Sequence, residues 1–366
     1  MNQKLEVPEK ISIVIMAGGK GERFWPRSRV SRPKQYSDLT GEGSLLYLTY
    51  NRALQLAPAE RIFVVTGAEY RELTCECLPQ LPQENIIIEP EGRNTAPCIG
   101  LAAITLEYRL PGTIMAVLPS DHLIRDEEQF ARTLALAAST ADETGGLVAI
   151  GIRPDRPETG YGYLRVGQPI SKEKAKTVYR VDKFVEKPDL IKAREYLEDG
   201  GYLWNAGIFV WKAAAVLEEF KTHLPGIYEG LQEISRYFGS EQYNEVLQRT
   251  YPCFDRISID YGIMEKAVQV YIVPGEFYWD DVGTWMSLER VFRTDENGNV
   301  FRGKVTALNT ENSIIDSNGR MVALIGVKDL VIVETDDVTF VCNKNETDRL
   351  RELLEELRRL NMEEYL

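Results

Sequence analysis

Gly18, Gly19 and Gly21 lie immediately behind the apolar run Ile11–Met16. They open the stretch Ala17-Gly18-Gly19-Lys20-Gly21-Glu22-Arg23-Phe24-Trp25-Pro26, which continues to Arg32-Pro33-Lys34-Gln35. Glycines in that place let backbone N–H groups approach phosphate oxygens with no Cβ in the way. Between Gly18 and Gln35 six basic residues (Lys20, Arg23, Arg27, Arg29, Arg32, Lys34) stand against one acidic residue, Glu22, in a chain of net charge −13. Positive charge gathered beside a glycine turn in an acidic protein points to an anion site; a tight turn with a solvated basic loop is the plainer alternative. The pattern is not a P-loop, which needs G-x-x-x-x-G-K-[ST], nor a dinucleotide fingerprint, since the third glycine is missing.

Carboxylates come next. Asp121, in Pro119-Ser120-Asp121-His122, follows the apolar run Ile114–Leu118. In an open parallel sheet the carboxyl ends of strands line the ligand crevice. A lone carboxylate there suits Mg²⁺, which binds through one or two carboxylates plus phosphate oxygens and water. A turn or cap role is the alternative, although Asp126 is the better cap. Trp279-Asp280-Asp281-Val282-Gly283-Thr284 offers a second carboxylate, or merely a loop. Glu186-Lys187-Pro188 sets an acceptor beside a cation, suited to a sugar hydroxyl and a phosphate, or to a surface ion pair. Trp204-Asn205-Ala206-Gly207 and Thr159-Gly160-Tyr161-Gly162 supply the amide, glycine and aromatic groups of sugar pockets.

Other chemistries are poorly served. The five cysteines (Cys75, Cys77, Cys98, Cys253, Cys342) are scattered with no C-x-x-C, which suits reduced thiols in a cytoplasm rather than zinc or disulfides. His122 and His223 are the only histidines, too few for a multi-histidine centre, and no G-x-S-x-G is present. His122 reads as structural. The negative net charge argues against nucleic acid or a membrane surface as partner. No apolar run approaches the roughly 18–20 residues of a membrane span, and the polar stretch Met1–Lys10, with no apolar h-region, is not expected to act as a secretion signal.

The elements that must position these residues follow from periodicity. Ile11–Met16, Arg61–Thr66, Ile86–Glu89 and Ile114–Leu118 are apolar runs of strand length, suited to burial on both faces of a parallel sheet. Helical stretches lie between them at Leu45–Leu56, Thr95–Tyr108 and Glu127–Ala141, the last opened by a capping box of Asp126 and Gln129. This alternation predicts an α/β, doubly wound, Rossmann-like domain. After Gly151 the pattern is mixed, with strands at Tyr161–Val166, Thr177–Glu186 and Gly207–Trp211 and helices at Leu190–Leu197 and Ala213–Phe220. From about Asp295 short β pieces (Val300–Leu308, Ser313–Asp316, Met321–Ile325, Leu330–Glu334, Thr339–Cys342) are punctuated by turn dipeptides. Leu350, Leu353, Leu354, Leu357 and Leu360 then mark an amphipathic helix behind an Asn345 cap. A catalytic domain over residues 1–294 and a β module with terminal helix over 295–366 are expected.

The ordered set AGGKGERFWP…RPKQ, EPEGRNTAP, PSDH, TGYGY, FVEKP, WNAGIF, SIDYGIMEK and WDDVGTW closely resembles the mannose-1-phosphate guanylyltransferases (GDP-mannose pyrophosphorylases), within the sugar-1-phosphate nucleotidylyltransferases. The resemblance runs from about Ile11 to Cys342. It implies that Gly18, Gly19 and Gly21 hold the nucleotide and that Arg23 and Lys34 hold the triphosphate. Glu89, Arg93 and Asn94, in the segment 89–94, would face the base. Gly162, Glu186, Lys187 and Asn205 would face the sugar phosphate, and Asp121 and Asp281 would hold Mg²⁺. It further implies a left-handed β-helix-like C-terminal module that joins two subunits as a homodimer. The sequence departs from the family pattern at Glu22, where a small hydroxyl residue is common, and at Asp280, where Ser is frequent. The isomerase domain fused to some relatives is not expected here.

The implied reaction is in-line attack of a mannose 1-phosphate oxygen on the α-phosphorus of GTP, with release of pyrophosphate. Positioning and charge stabilisation carry such transfers, which matches glycines, Arg, Lys and Mg²⁺. A phosphate monoester whose second pKa is about 6 is mostly dianionic at pH 7 and needs no general base. Two rivals stay open. One is a nucleotidylyltransferase for another base or for glucose 1-phosphate. The other is a catalytically silent nucleotide-sugar sensor, against which stand Arg23, Lys34, Asp121 and Asp281, all present.

Overall fold

The apolar runs do become strands, and in the predicted order. The computed structural model describes residues 8–19, 21–170 and 177–366, so Lys20 and the first seven residues of the polar N-terminal stretch lie outside the described residues. The elements begin with β1 (Ile11–Met16), α1 (Leu45–Ala53), β2 (Ile62–Gly67), α2 (Arg71–Cys77), β3 (Ile86–Glu89), α3 (Thr95–Arg109), β4 (Ile114–Pro119), β5 (Leu123–Ile124) and α4 (Glu127–Thr144). They continue with β6 (Leu147–Ile152), β7 (Tyr163–Pro169), β8 (Tyr179–Val185), α5 (Leu190–Asp199), β9 (Tyr202–Lys212), α6 (Ala213–His223), α7 (Pro225–Ser235) and α8 (Tyr243–Thr250). The last are β10 (Val270–Gly275), β11 (Trp279–Asp280), α9 (Leu288–Val291), β12 (Val300–Arg302), β13 (Val305–Leu308), β14 (Ile314–Ser317), β15 (Val322–Ile325), β16 (Leu330–Glu334), β17 (Thr339–Asn343) and α10 (Leu350–Arg359).

Packing divides the chain into two compact units. The first comprises Met1–Gly18, Tyr47–Ser120 and Ile124–Trp279. Its sheet has the order β3-β2-β1-β4-β9-β6-β10-β8-β7. One half is parallel as expected, with Ile13 opposite Ile62 and Ile11 opposite Ile114. Ile13, Val14 and Ile15 are wholly buried, which is why a parallel strand reads as an unbroken apolar run. The sheet as a whole is mixed. β9 runs antiparallel to both β4 and β6, and β8 antiparallel to β10. Apolar periodicity identified the β9 run but carries no information about strand direction. Beneath the sheet α3 lies tight against α7: a Cβ on Gly100 would fall 2.5 Å from Leu231. Asp126 caps α4 by accepting the Gln129 N–H at 3.1 Å, one half of the expected capping box.

The second unit comprises Gly19–Leu46, Asp121–Leu123 and Asp280–Leu366, so the glycine-rich loop packs with the C-terminal strands. β12, β14 and β16 form a parallel ladder, β17 adds to it antiparallel, and β13 pairs with β15 in a second parallel sheet. Two parallel faces joined by sharp corners make a short β-helix. The run Val300–Leu308, expected as one strand, breaks at Gly303. That residue has φ +82°, and a Cβ there would meet the Ser317 carbonyl at 2.2 Å. Ahead of α10, Asn343 rather than Asn345 is the cap. Its side chain accepts the Asn345 N–H at 2.9 Å and opens a 3₁₀ turn, Lys344–Arg349.

Candidate active site

The glycine loop is folded back on its own downstream segment. Gly21 sits at φ +63°, and a Cβ would fall 2.4 Å from Lys34 Cβ, so only glycine fits between loop and lysine. Gln35 Nε2 donates to the Gly19 carbonyl at 2.9 Å, and Ser28 Oγ donates to the Gly21 carbonyl at 2.6 Å. Pro33 starts a 3₁₀ turn, Lys34–Tyr36, that sends the Lys34 side chain inward. Its ammonium donates at 2.8 Å to Asp121 Oδ2 and at 2.8 Å to the Asp281 carbonyl, with the Phe24 ring 5.5 Å away. Lys34, Asp121 and Asp281, far apart in sequence, are thus brought together. Burial pushes the Asp121 carboxyl up, but the Lys34 ammonium, then His122 and Arg23, outweigh it and hold the pKa below its ordinary value. His122 Nε2 stands 4.0 Å from Asp121 Oδ1.

The two adjacent late acids have different surroundings. Asp280 is buried and grips Arg290 with both oxygens, at 2.5 and 3.0 Å, while its Oδ1 also accepts the Val282 N–H at 2.8 Å. Asp281 accepts the Gly283 N–H at 3.1 Å. Asp121, through its carboxylate, and Asp281, through its backbone carbonyl, meet at the Lys34 ammonium. The described residues contain no cluster of three or more His, Cys, Asp or Glu. A two-carboxylate donor set that leaves other positions to phosphate oxygens and water fits Mg²⁺ chemistry. The basic loop is less free than its composition suggests. Arg27 is bidentate to Asp316, Arg29 bonds Asp337, and Arg32 Nε donates to the Tyr36 carbonyl.

In the first unit Gly18 covers Glu89: a Cβ on Gly18 would lie 3.1 Å from Glu89 Oε2. Glu89 ends β3, accepts from the Tyr251 hydroxyl, and is buried. Burial, only partly offset by hydrogen bonds from Tyr251 and Cys98, pushes its carboxyl up to about 7. Arg93 donates to the Phe254 carbonyl at 3.2 Å and pairs with Glu91. Asn94, at φ +70°, caps the N-terminus of α3 by accepting the Thr95 N–H at 2.8 Å.

The four residues expected at a sugar phosphate also converge. A Cβ on Gly162 would lie 2.5 Å from Glu186 Oε2 and 3.3 Å from Asn205 Cβ. Lys187 pairs with Glu186 Oε1 at 3.0 Å, whereas Glu186 Oε2 is buried with no hydrogen-bond partner. Asn205 Nδ2 donates at 2.8 Å to Asp260. Burial first, then the nearby Glu186 charge, pushes the Asp260 carboxyl up to about 7. Asp260 was overlooked in the sequence although it lies in the SIDYGIMEK motif. Tyr251 and Arg290 carried no sequence signal. Tyr161 stacks edge-on against Trp204 and Trp279, and Arg156 lies 4.8 Å over Trp204.

A glycine loop, a lysine between two aspartates and a β-helix behind them define a nucleotidyltransferase. Residues 12–298 match the Nucleotidyl transferase family and residues 303–357 the MannoseP isomerase/GMP-like beta-helix domain. The mannose-1-phosphate guanylyltransferase of Escherichia coli K12 is 38% identical over 95% of this chain and 74% of its own length. The alginate biosynthesis protein AlgA of Pseudomonas aeruginosa is 38% identical over 94% of this chain and 71% of its own. A crystal structure described as mannose-1-phosphate geranyltransferase from Thermus thermophilus superposes with a TM-score of 0.85 at 37% identity. It covers 95% of this chain and 99% of that one. The chain belongs to the mannose-1-phosphate guanylyltransferase family of nucleotidyl transferases. Among the described residues no helix is long and apolar enough to cross a membrane.

Proposed function

We propose that the chain transfers GMP from GTP to α-D-mannose 1-phosphate, giving GDP-mannose and pyrophosphate. The observation that carries this reading is the Lys34 ammonium held between Asp121 and Asp281 behind the glycine loop. Gly18, Gly19 and Gly21 offer backbone N–H groups to phosphate oxygens, and Arg23 and Lys34 offset triphosphate charge. Glu89, Arg93 and Asn94 line the base side. Gly162, Glu186, Lys187 and Asn205 receive the sugar phosphate, with Asp260 holding Asn205. Asp121 and Asp281 would hold Mg²⁺, which would supply charge neutralisation on the phosphate oxygens.

In the transfer a mannose 1-phosphate oxygen bonds to the α-phosphorus as the bond from that phosphorus to the bridging β-phosphate oxygen breaks. The electron pair leaves with pyrophosphate. No proton has to be removed from a dianionic nucleophile, so His122 has no catalytic task. Residues 1–294 carry the transfer and residues 295–366 form the accessory module. The partners are GTP and mannose 1-phosphate, with no nucleic acid or membrane, and the setting is cytoplasmic. A second copy of the chain completes a homodimer through the outer face of the β-helix, where Leu308 and Ile325 are paired and exposed.

An initial-rate panel of GTP, ATP, UTP and dTTP against mannose, glucose and fucose 1-phosphates tests the reading. The GTP–mannose 1-phosphate pair is expected to give the highest kcat/KM. A higher value for another pair reassigns the substrate, and no transfer with any pair leaves the silent sensor.

A further inference from the structure

We propose that the β-helix and the segment after α10 hold the nucleotide loop in its working position, with Arg27 and Arg29 as positioning residues rather than phosphate ligands. The inference rests on the reading of Gly18 to Lys34 as the triphosphate site. All the groups concerned lie in the second compact unit.

Four consecutive anchors fall between Glu22 and Arg29. Glu22 accepts from Arg358 of α10 at 2.8 Å. The buried Trp25 donates its indole N–H to the Tyr365 carbonyl at 2.5 Å and meets Phe340 of β17 edge-on at 5.6 Å. Arg27 forks onto Asp316 of β14, with Nε–Oδ2 at 2.6 Å and Nη2–Oδ1 at 2.9 Å, and Asp316 is 1% exposed. Arg29 donates to the Pro26 carbonyl at 2.8 Å, to Asp337 at 2.7 Å and to the Tyr365 carbonyl. Two of the loop's cations are thereby matched to protein acceptors. Their forks are occupied, so they are poor candidates for phosphate.

Position is what these contacts supply. A bidentate guanidinium–carboxylate pair fixes orientation as well as distance, and Asp316 belongs to a parallel ladder with little room to shift. Arg23 lies within the anchored stretch and Lys34 just beyond it, so a loop released from Asp316 misplaces both. A displacement of about 1 Å costs about a hundredfold when catalysis depends on alignment. The same arrangement accounts for Glu22, where the family usually carries a small hydroxyl residue: the acid is the acceptor for Arg358.

The test uses the full chain with GTP, mannose 1-phosphate and Mg²⁺, and compares Arg27→Ala, Asp316→Asn and the double variant. Arg29→Ala and the exposed Asp337→Ala serve as a second pair should Asp316→Asn fail to fold. Steady-state kinetics are read beside amide hydrogen exchange over residues 21–32. Each single change is expected to lower kcat/KM for GTP by about tenfold or more, with the double no worse than the worse single. KM for mannose 1-phosphate should stay within about twofold, and the loop amides should exchange about tenfold faster while β1 and β4 do not change. Loss in Arg27→Ala with Asp316→Asn silent would make Arg27 a phosphate ligand and overturn the proposal. A fall in Tm with unchanged kinetics and loop exchange would reduce the contact to a brace of the fold. If the wild type itself transfers nothing, the functional reading fails, and the exchange experiment still decides whether Asp316 holds the loop.

Discussion

Asp280 and Asp281 are adjacent in sequence, yet a chelated guanidinium holds the first, whereas the second is the proposed Mg²⁺ ligand. Asp281→Asn is expected to keep Tm within a degree or two of the wild type and to lose most transfer activity. Asp280→Asn removes the carboxylate charge that Arg290 grips, at a cost of about 3 kcal/mol, the low end for a broken buried pair because Arg290 is partly exposed. Thermal melts and initial rates on both variants separate the roles, and an inactive but stable Asp280→Asn would exchange them. Glu89 gives a pH prediction. Its carboxyl has an ordinary pKa near 4.5 and is pushed up to about 7 by burial. Its favourable contribution is complete below the ordinary value and is lost as pH rises through the folded one. Glu89→Gln should therefore gain stability relative to the wild type between pH 5 and pH 8, by at most about 3 kcal/mol. Urea melts at the two pH values measure it, and a pH-independent difference would mean that Glu89 is ionised throughout.

At the scale of elements, the glycine loop works only if it can lie flat on the turn that carries Lys34. Gly21→Ala must adopt φ +63° and place its methyl 2.4 Å from Lys34 Cβ. Strain of about 1 kcal/mol in the backbone adds to a clash that has no flexible tip to give way. We expect a folded protein whose kcat falls about a hundredfold. Near-normal turnover would show that the loop reorganises without cost. Elements of this kind were legible from the sequence because a local rule encodes them: β1 and β3 appear at the residues their apolar runs mark, and Asp126 caps α4. The direction of β9 was not legible, since strand polarity follows from long-range pairing. Asp121 stood out at a strand's end. Asp260 did not, because its importance comes from Asn205 and Glu186, which are remote in sequence. The basic loop was legible only in part, since counting charges could not reveal that Asp316 and Asp337 take Arg27 and Arg29.

At the scale of the whole molecule, the two-stranded sheet of the β-helix presents exposed apolar side chains. β13 and β15 form a two-stranded parallel sheet in which Leu308 lies opposite Ile325, these two being 63% and 73% exposed, and Met321 just ahead of β15 is 66% exposed. Short parallel strands with bare edges and apolar outward residues are a liability for a solitary protein and an asset at an interface. A homodimer seated there should sediment at twice the 41.6 kDa chain mass. Cutting the chain near Thr294 is a poor test, because it strips the partners of Arg27 and Arg29 from the unit they share. Leu308→Lys with Ile325→Lys keeps those partners and places like charges on the paired face, where association costs their desolvation and repulsion. The double variant is expected to sediment as a monomer at concentrations where the wild type is dimeric. Its kcat should stay within about twofold, since every proposed site residue belongs to one chain and the substitutions lie on the outer face of the β-helix. A double variant that remains dimeric would move the interface off the β-helix, and a monomeric wild type would remove the homodimer altogether.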